Sequence, residues 1–163
     1  MKKAIFSILG LLAFAAVGQA ATLIFTATLT GAAERPTPNV STATGSATLT
    51  IDDVTRAFSL TGVYTGLTSA TNGSHIHGAA NTEGVAPPIH ALANTGGTTG
   101  TLSGSGTYTV PQLADLQNSL NYVNVHTGQF PDGEIRGQLL RIPEPGVFGL
   151  GLLGTLLIFR RRN

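Results

Sequence analysis

The chain has 163 residues, 21 of them glycine, with nine basic against eight acidic side chains and no cysteine. That length suits one domain, and the lack of thiols excludes disulfides, thiolate metal sites and a cysteine nucleophile. No basic stripe or basic run with interleaved aromatics occurs, which argues against nucleic acid as a partner.

In chain order, Lys2 and Lys3 precede an apolar run from Ala4 to Val17, and Gly18-Gln19-Ala20 offers small residues around a cut after Ala20. Residues 1–20 therefore read as a secretory signal peptide, because the run falls short of the roughly 18 to 20 residues that a bilayer span requires. Residues 21–142 form the expected domain. It carries Arg35, Arg56, Arg136 and Arg141 against seven acidic residues, a balance of minus three.

The domain reads as short strands punctuated by glycine. Thr22 to Leu29 sends Leu23, Phe25, Ala27 and Leu29 to one face and Thr22, Thr26 and Thr28 to the other, with Ile24 breaking the polarity. Gly31 to Val40, with Pro36 and Pro38, is a loop. Thr44 to Ile51 and Thr55 to Tyr64 make a hairpin around Asp52-Asp53, whose side chains suit turn chemistry. Gly66 to Gly73 is a second loop and Ser74 to Gly78 a short strand. From Ala79 to Gly100, Pro87-Pro88 and Gly96-Gly97 exclude long regular elements, and a stretch of that length is functional or mobile.

Thr101 to Val110 resumes the strand pattern. A single helix follows, with Pro111 in its first turn and Leu113, Leu116 and Leu120 on one face. Asn121 to Leu139 is the most strongly patterned stretch: Tyr122, Asn124 and His126 alternate with Val123 and Val125, a turn is set by Pro131, Asp132 and Gly133, and a second strand, Glu134 to Leu140, returns. In the return strand Glu134 and Arg136 share a face, where they are expected to pair with each other or with a neighbour. The whole predicts an all-β fold: an antiparallel Greek-key, immunoglobulin-like or superoxide-dismutase-like sandwich or barrel with one short helix.

Residues 143–163 open with Pro143-Glu144-Pro145, run through a Gly/Leu-rich segment from Gly146 to Phe159, and end in Arg160, Arg161 and Arg162 before Asn163. A P-E-P motif, a short hydrophobic segment and a basic cluster in this order resemble the PEP-CTERM sorting signal of exopolysaccharide-producing Gram-negative bacteria. The resemblance implies handling by a membrane-embedded exosortase, and therefore export, transient anchoring in the inner membrane, and delivery to the cell envelope or extracellular matrix. A plain C-terminal membrane anchor is the other reading of the segment, its arginines marking the cytoplasmic side.

Across the domain, LTGAAERPTPNVSTATGSATLTID from Leu29, SHIHGAANTEGVAPPIHAL from Ser74, the helix opening PQLADL, and YVNVHTGQFPDGEIRGQL resemble the CHRD domain, named for chordin. The likeness spans nearly all of residues 21–142 in the right order and implies an all-β extracellular domain without an established enzymatic activity. Two positions depart from it: Arg35 stands where valine is common, and His90 where an apolar residue is usual.

Any metal chemistry rests on histidine. His75 and His77 are two apart on a strand, so both rings leave one face with Cα atoms roughly 6.5 to 7 Å apart, a span one ion can bridge. His126 offers a third nitrogen and His90, in the irregular stretch, a fourth; three or four imidazoles suit copper or zinc. The order H-x-H, a loop histidine, then V-x-V-H-T is similar to the copper-ligand order of copper/zinc superoxide dismutase. That enzyme's further loop histidines and disulfide cysteines are absent, and Arg136 alone offers a counterpart to its active-site arginine. Two further readings stand beside it: the same histidines bond backbone carbonyls and fix the 74–92 stretch against the last hairpin, or the threonine- and glycine-rich surface contacts extracellular polysaccharide or protein.

Overall fold

The structure, a computed structural model, describes residues 20–143. Ala20 and Pro143 are its exposed ends, and the rest of the two end signals, including Glu144, Pro145, Arg160, Arg161 and Arg162, lies outside the described residues. Among the described residues no helix is long and apolar enough to cross a membrane.

The described residues form ten strands and one α-helix in the order β1 (Thr22–Thr30), β2 (Thr44–Asp52), β3 (Ala57–Thr65), β4 (Thr71–His77), β5 (Pro88–Ala91), β6 (Ala93–Asn94), β7 (Gly100–Thr107), α1 (Val110–Gln117), β8 (Tyr122–Thr127), β9 (Ile135–Gln138) and β10 (Leu140–Arg141). They form one antiparallel sheet ordered β5-β4-β8-β9-β1-β2-β3-β7-β6, with β10 also paired to β1. Because β5 pairs with β4 and β6 with β7, residues 88–94 bridge the two ends of the sheet and nearly close it. The expected all-β fold is realised as this barrel-like sheet. Near-closure leaves few unpaired edge groups, which suits a chain without disulfides.

Alternation fills the interior. Leu23, Phe25, Ala27 and Leu29 of β1 meet Ala47, Leu49 and Ile51 of β2, Phe58 and Leu60 of β3, and Val123 and Val125 of β8, all within 5 % of full burial. At about 25 cal/mol per Å² of apolar surface removed from water, this core is the main force holding the domain. The helix opens with a capping box: Gln112 N donates to Thr109 Oγ1 at 3.3 Å, and Thr109 N donates to Gln112 Oε1 at 2.8 Å. Leu113 and Leu116 pack inward, but the helix ends at Gln117, before Leu120.

Two expectations need correction. The 79–100 stretch is not wholly irregular, since β5 and β6 lie within it, and β4 begins three residues earlier than the pattern suggested. A register shift between Thr71 and Gly73 accounts for that early start: Thr71 pairs with Thr127 and Gly73 with His126, leaving Asn72 as the extra residue of a bulge. Of the two pairings expected for Glu134 and Arg136, the structure realises the one with neighbours: both side chains are buried and bond other residues rather than each other. Glu134 instead accepts from the hydroxyls of Ser41, Thr68 and Thr127 and from Thr68 N, at 2.7 to 2.9 Å. Burial raises its carboxyl, but these bonds together outweigh burial and hold it below the usual range.

Candidate metal centre

The outer face of β4 and β8 carries three histidines because cross-strand partners share a face. Gly73 lies opposite His126, His75 opposite Asn124, and His77 opposite Tyr122. His75 and His126 are therefore diagonal neighbours, and their ring centroids stand 5.1 Å apart; His77 is 5.6 Å from His75 and 5.7 Å from His126. One potential ligand nitrogen from each of the three lies within 4.8 Å of the others. Gly73 makes room for this approach: a Cβ built on it would lie 3.3 Å from His75 Cε1 and 4.0 Å from His126 Cδ2.

Hydrogen bonding sets which nitrogens are free. His77 Nδ1 lies 2.8 Å from the carbonyl of Ala86, and His126 Nδ1 lies 3.0 Å from that of Pro131. A carbonyl can only accept, so each Nδ1 carries the proton and each Nε2 keeps its lone pair. His77 Nε2, His126 Nε2 and His75 Nδ1 are buried without a hydrogen-bond partner among the described residues. Buried polar atoms are rarely left so, and three on adjoining rings mark a place where partners are missing.

All three rings are held neutral. Burial pushes His77 down to about 4, the charges of His126, His75 and Arg136 adding to it and the Ala86 bond working against it. Burial likewise lowers His75 and His126 from the ordinary imidazole range. A neutral imidazole is the form that binds a metal.

Side chains that the sequence did not single out support this group. Tyr122 stacks on His77, with centroids 4.9 Å apart and planes 13° from parallel. Its hydroxyl accepts from Ala86 N at 3.1 Å and donates to Ala86 O at 3.2 Å, which fixes the carbonyl that orients His77. The Arg136 guanidinium lies 3.6 Å over the Tyr122 ring and donates to Gly84 O and Asn81 O, at 2.7 and 2.9 Å. Arg136 is thus committed to pinning residues 79–87 over the sheet. The only clue to Tyr122 was its place on the same strand face as His126.

His90 belongs elsewhere. It pairs with Ile76, whose side chain is fully buried, so its ring enters the barrel and not the outer face. There it lies 4.7 Å from Phe58 and 4.8 Å from Tyr108, ring to ring. The structure brings His75, His77 and His126 together and sets His90 apart, on the opposite side of the sheet.

A second polar group borders the first. Asn124, between Tyr122 and His126, donates through Nδ2 to Asp132 O at 3.3 Å and approaches Glu34 Oε2 at 3.5 Å. Burial raises the Glu34 carboxyl to about 7, against the lowering pull of the Arg136 charge and of its hydrogen bonds.

A nearly closed antiparallel barrel bearing a three-imidazole cluster on its outer face defines a histidine-bearing all-β domain. The CHRD domain model matches residues 25–139. That is most of the chain, which belongs to the CHRD domain family. No curated protein matches it, and no solved structure does.

Proposed function

We propose that the chain is an exported CHRD-domain module of the cell envelope or extracellular matrix that binds one copper or zinc ion through His75, His77 and His126. The observation that carries this reading is the convergence of three neutral imidazoles, with one ring nitrogen of each within 4.8 Å of the others, on rings that each also have a buried nitrogen without a partner. The carbonyl bonds expected as an alternative to ligation turn out to complement it. Ala86 and Pro131 take one nitrogen of His77 and His126, and in doing so leave the other available, as outer partners of metal-bound histidines do. When bound, such an ion would supply a local positive charge and a cross-link between β4 and β8. His90 has no part in it.

The binding reading is favoured over redox catalysis. The unpartnered nitrogens are screened from solvent, and Arg136 is occupied with loop carbonyls. Export and envelope delivery rest on the lysine-apolar-small pattern of residues 1–20 and on the P-E-P, hydrophobic and arginine pattern of residues 143–163. In this proposal an exosortase processes the tail after transient anchoring in the inner membrane. The threonine-rich outer strands then offer an uncharged surface to extracellular polysaccharide or protein.

Equilibrium titration of the full-length chain with copper and with zinc tests the central point. One equivalent retained at micromolar concentration, and lost in His77→Ala and His126→Ala, is the expected result. No retention of either metal rejects the reading. Mass spectrometry of the protein from a host that has an exosortase tests the tail, where an intact C-terminus contradicts processing.

A further inference from the structure

Resting on the metal-centre reading, we infer that the site holds copper preferentially as the monovalent ion, because its three donors are neutral imidazoles with no anionic ligand among them. Among the described residues, no aspartate, glutamate or cysteine joins His75, His77 and His126 in the group. The charged neighbours do not make up the deficit. The nearest cation, Arg136, lies over Tyr122, which in turn stacks on His77, and its positive charge works against a bound ion. Asp132 acts on His126 in the opposite sense, but from an exposed turn where water screens it. Glu34 sits beyond Asn124 and, raised by burial, carries only part of a charge near neutral pH.

The cost of taking an ion out of water grows with the square of its charge, so a divalent ion costs about four times as much as a monovalent one in the same surroundings. Carboxylate or thiolate ligands normally offset that cost, and neutral imidazoles do so less. Ligand number points the same way. Zinc is almost always four-coordinate and divalent copper favours a square or tetragonal set, whereas filled-shell monovalent copper accepts three nitrogens. Here each of the three rings has a nitrogen already screened from water.

The structure also shows where the missing anion would go. Gly73 occupies the ligand face beside His75 and opposite His126, and its backbone is outside the left-handed region, so a side chain fits there once the His75 ring gives by a few tenths of an ångström. Gly73→Asp would place a carboxylate next to the three rings.

The test uses the full-length chain under anaerobic conditions. Monovalent copper, divalent copper and zinc are each titrated against chelators of known affinity, and the copper reduction potential is compared with that of copper in excess imidazole in the same buffer. The expected result is a ratio of monovalent to divalent copper affinity at least about tenfold above the imidazole reference, equivalent to about 59 mV for one electron. Gly73→Asp should pull the ratio back toward divalent copper and tighten zinc. A wild-type potential at or below the imidazole reference overturns the inference, as does a raised one that a folded Gly73→Asp leaves unmoved. Should Gly73→Asp fail to fold, the wild-type potential decides alone. Failure to bind any of the three ions overturns the metal-centre reading itself, a different outcome.

Discussion

His77 and His90 sit on neighbouring strands, and both have a ring nitrogen buried without a partner, yet their surroundings differ completely. His77 faces outward into a cluster with two more imidazoles and a bracing carbonyl. His90 faces inward between Phe58 and Tyr108, apart from the three histidines that come together on the other face. The contrast shows that face, not residue type or proximity along the chain, makes a histidine part of a site. Face is in turn a consequence of register, because Ile76 pairs with His90 and is itself wholly buried.

The sharpest way to break this contrast is to remove one histidine from each face. His77→Ala should weaken metal binding by more than about 100-fold, since it deletes a ligand outright and outer-shell losses alone cost roughly 10- to 100-fold. His90→Ala should leave metal affinity unchanged and instead lower stability, because it removes ring contacts worth about 0.5 to 1.5 kcal/mol per aromatic pair. Titration and denaturant unfolding of both variants separate the two effects. Equal loss of metal in both would place His90 at the site after all.

Acid gives the next largest effect. In the metal-free protein His77 titrates at about 4 when folded, against an ordinary value of 6.5. Between those values the unfolded chain takes up the proton and the folded chain does not. Stability from this group is therefore fully present above about pH 6.5 and is lost as pH falls toward 4. Unfolding followed from pH 7.5 to 4 should show this decline in the wild type and a flatter profile in His77→Ala. Bound metal should survive to pH 5.5, where an unperturbed imidazole is mostly protonated.

How much of this was legible in the sequence depends on which forces write it. The alternation in Thr22–Leu29 and the V-x-V pattern before His126 are local, and both yielded the strands that form. H-x-H gave a shared face for His75 and His77 on spacing alone. What stayed hidden was tertiary. The bulge at Asn72 resets the phase of β4, and the pairing of Ile76 with His90 has no local signature. The partners of Glu134 and Arg136 could not be named because their burial depends on residues 31–41 and 79–87 folding over the sheet from distant parts of the chain. Their partners, Ser41, Thr68, Asn81 and Gly84, are correspondingly remote.

Smaller effects sharpen the same contrast. Tyr122→Phe keeps the ring stacked on His77 but loses both bonds to Ala86, so the carbonyl that orients His77 is less well held. Metal affinity should fall by about tenfold, the lower end for an outer partner, with little change in the stability of the metal-free protein. His90→Phe should act in the other direction. It replaces a buried nitrogen without a partner by an apolar edge, and stability should stay level or rise by about 1 kcal/mol, read from the denaturation midpoint.

X-ray absorption at the copper edge of the copper-loaded full-length chain tests the account most directly, because it counts the imidazoles around the ion. The account predicts three in the wild type, three in His90→Phe, and fewer in His126→Ala. A spectrum with one imidazole or none, or one that loses an imidazole in His90→Phe, would contradict it.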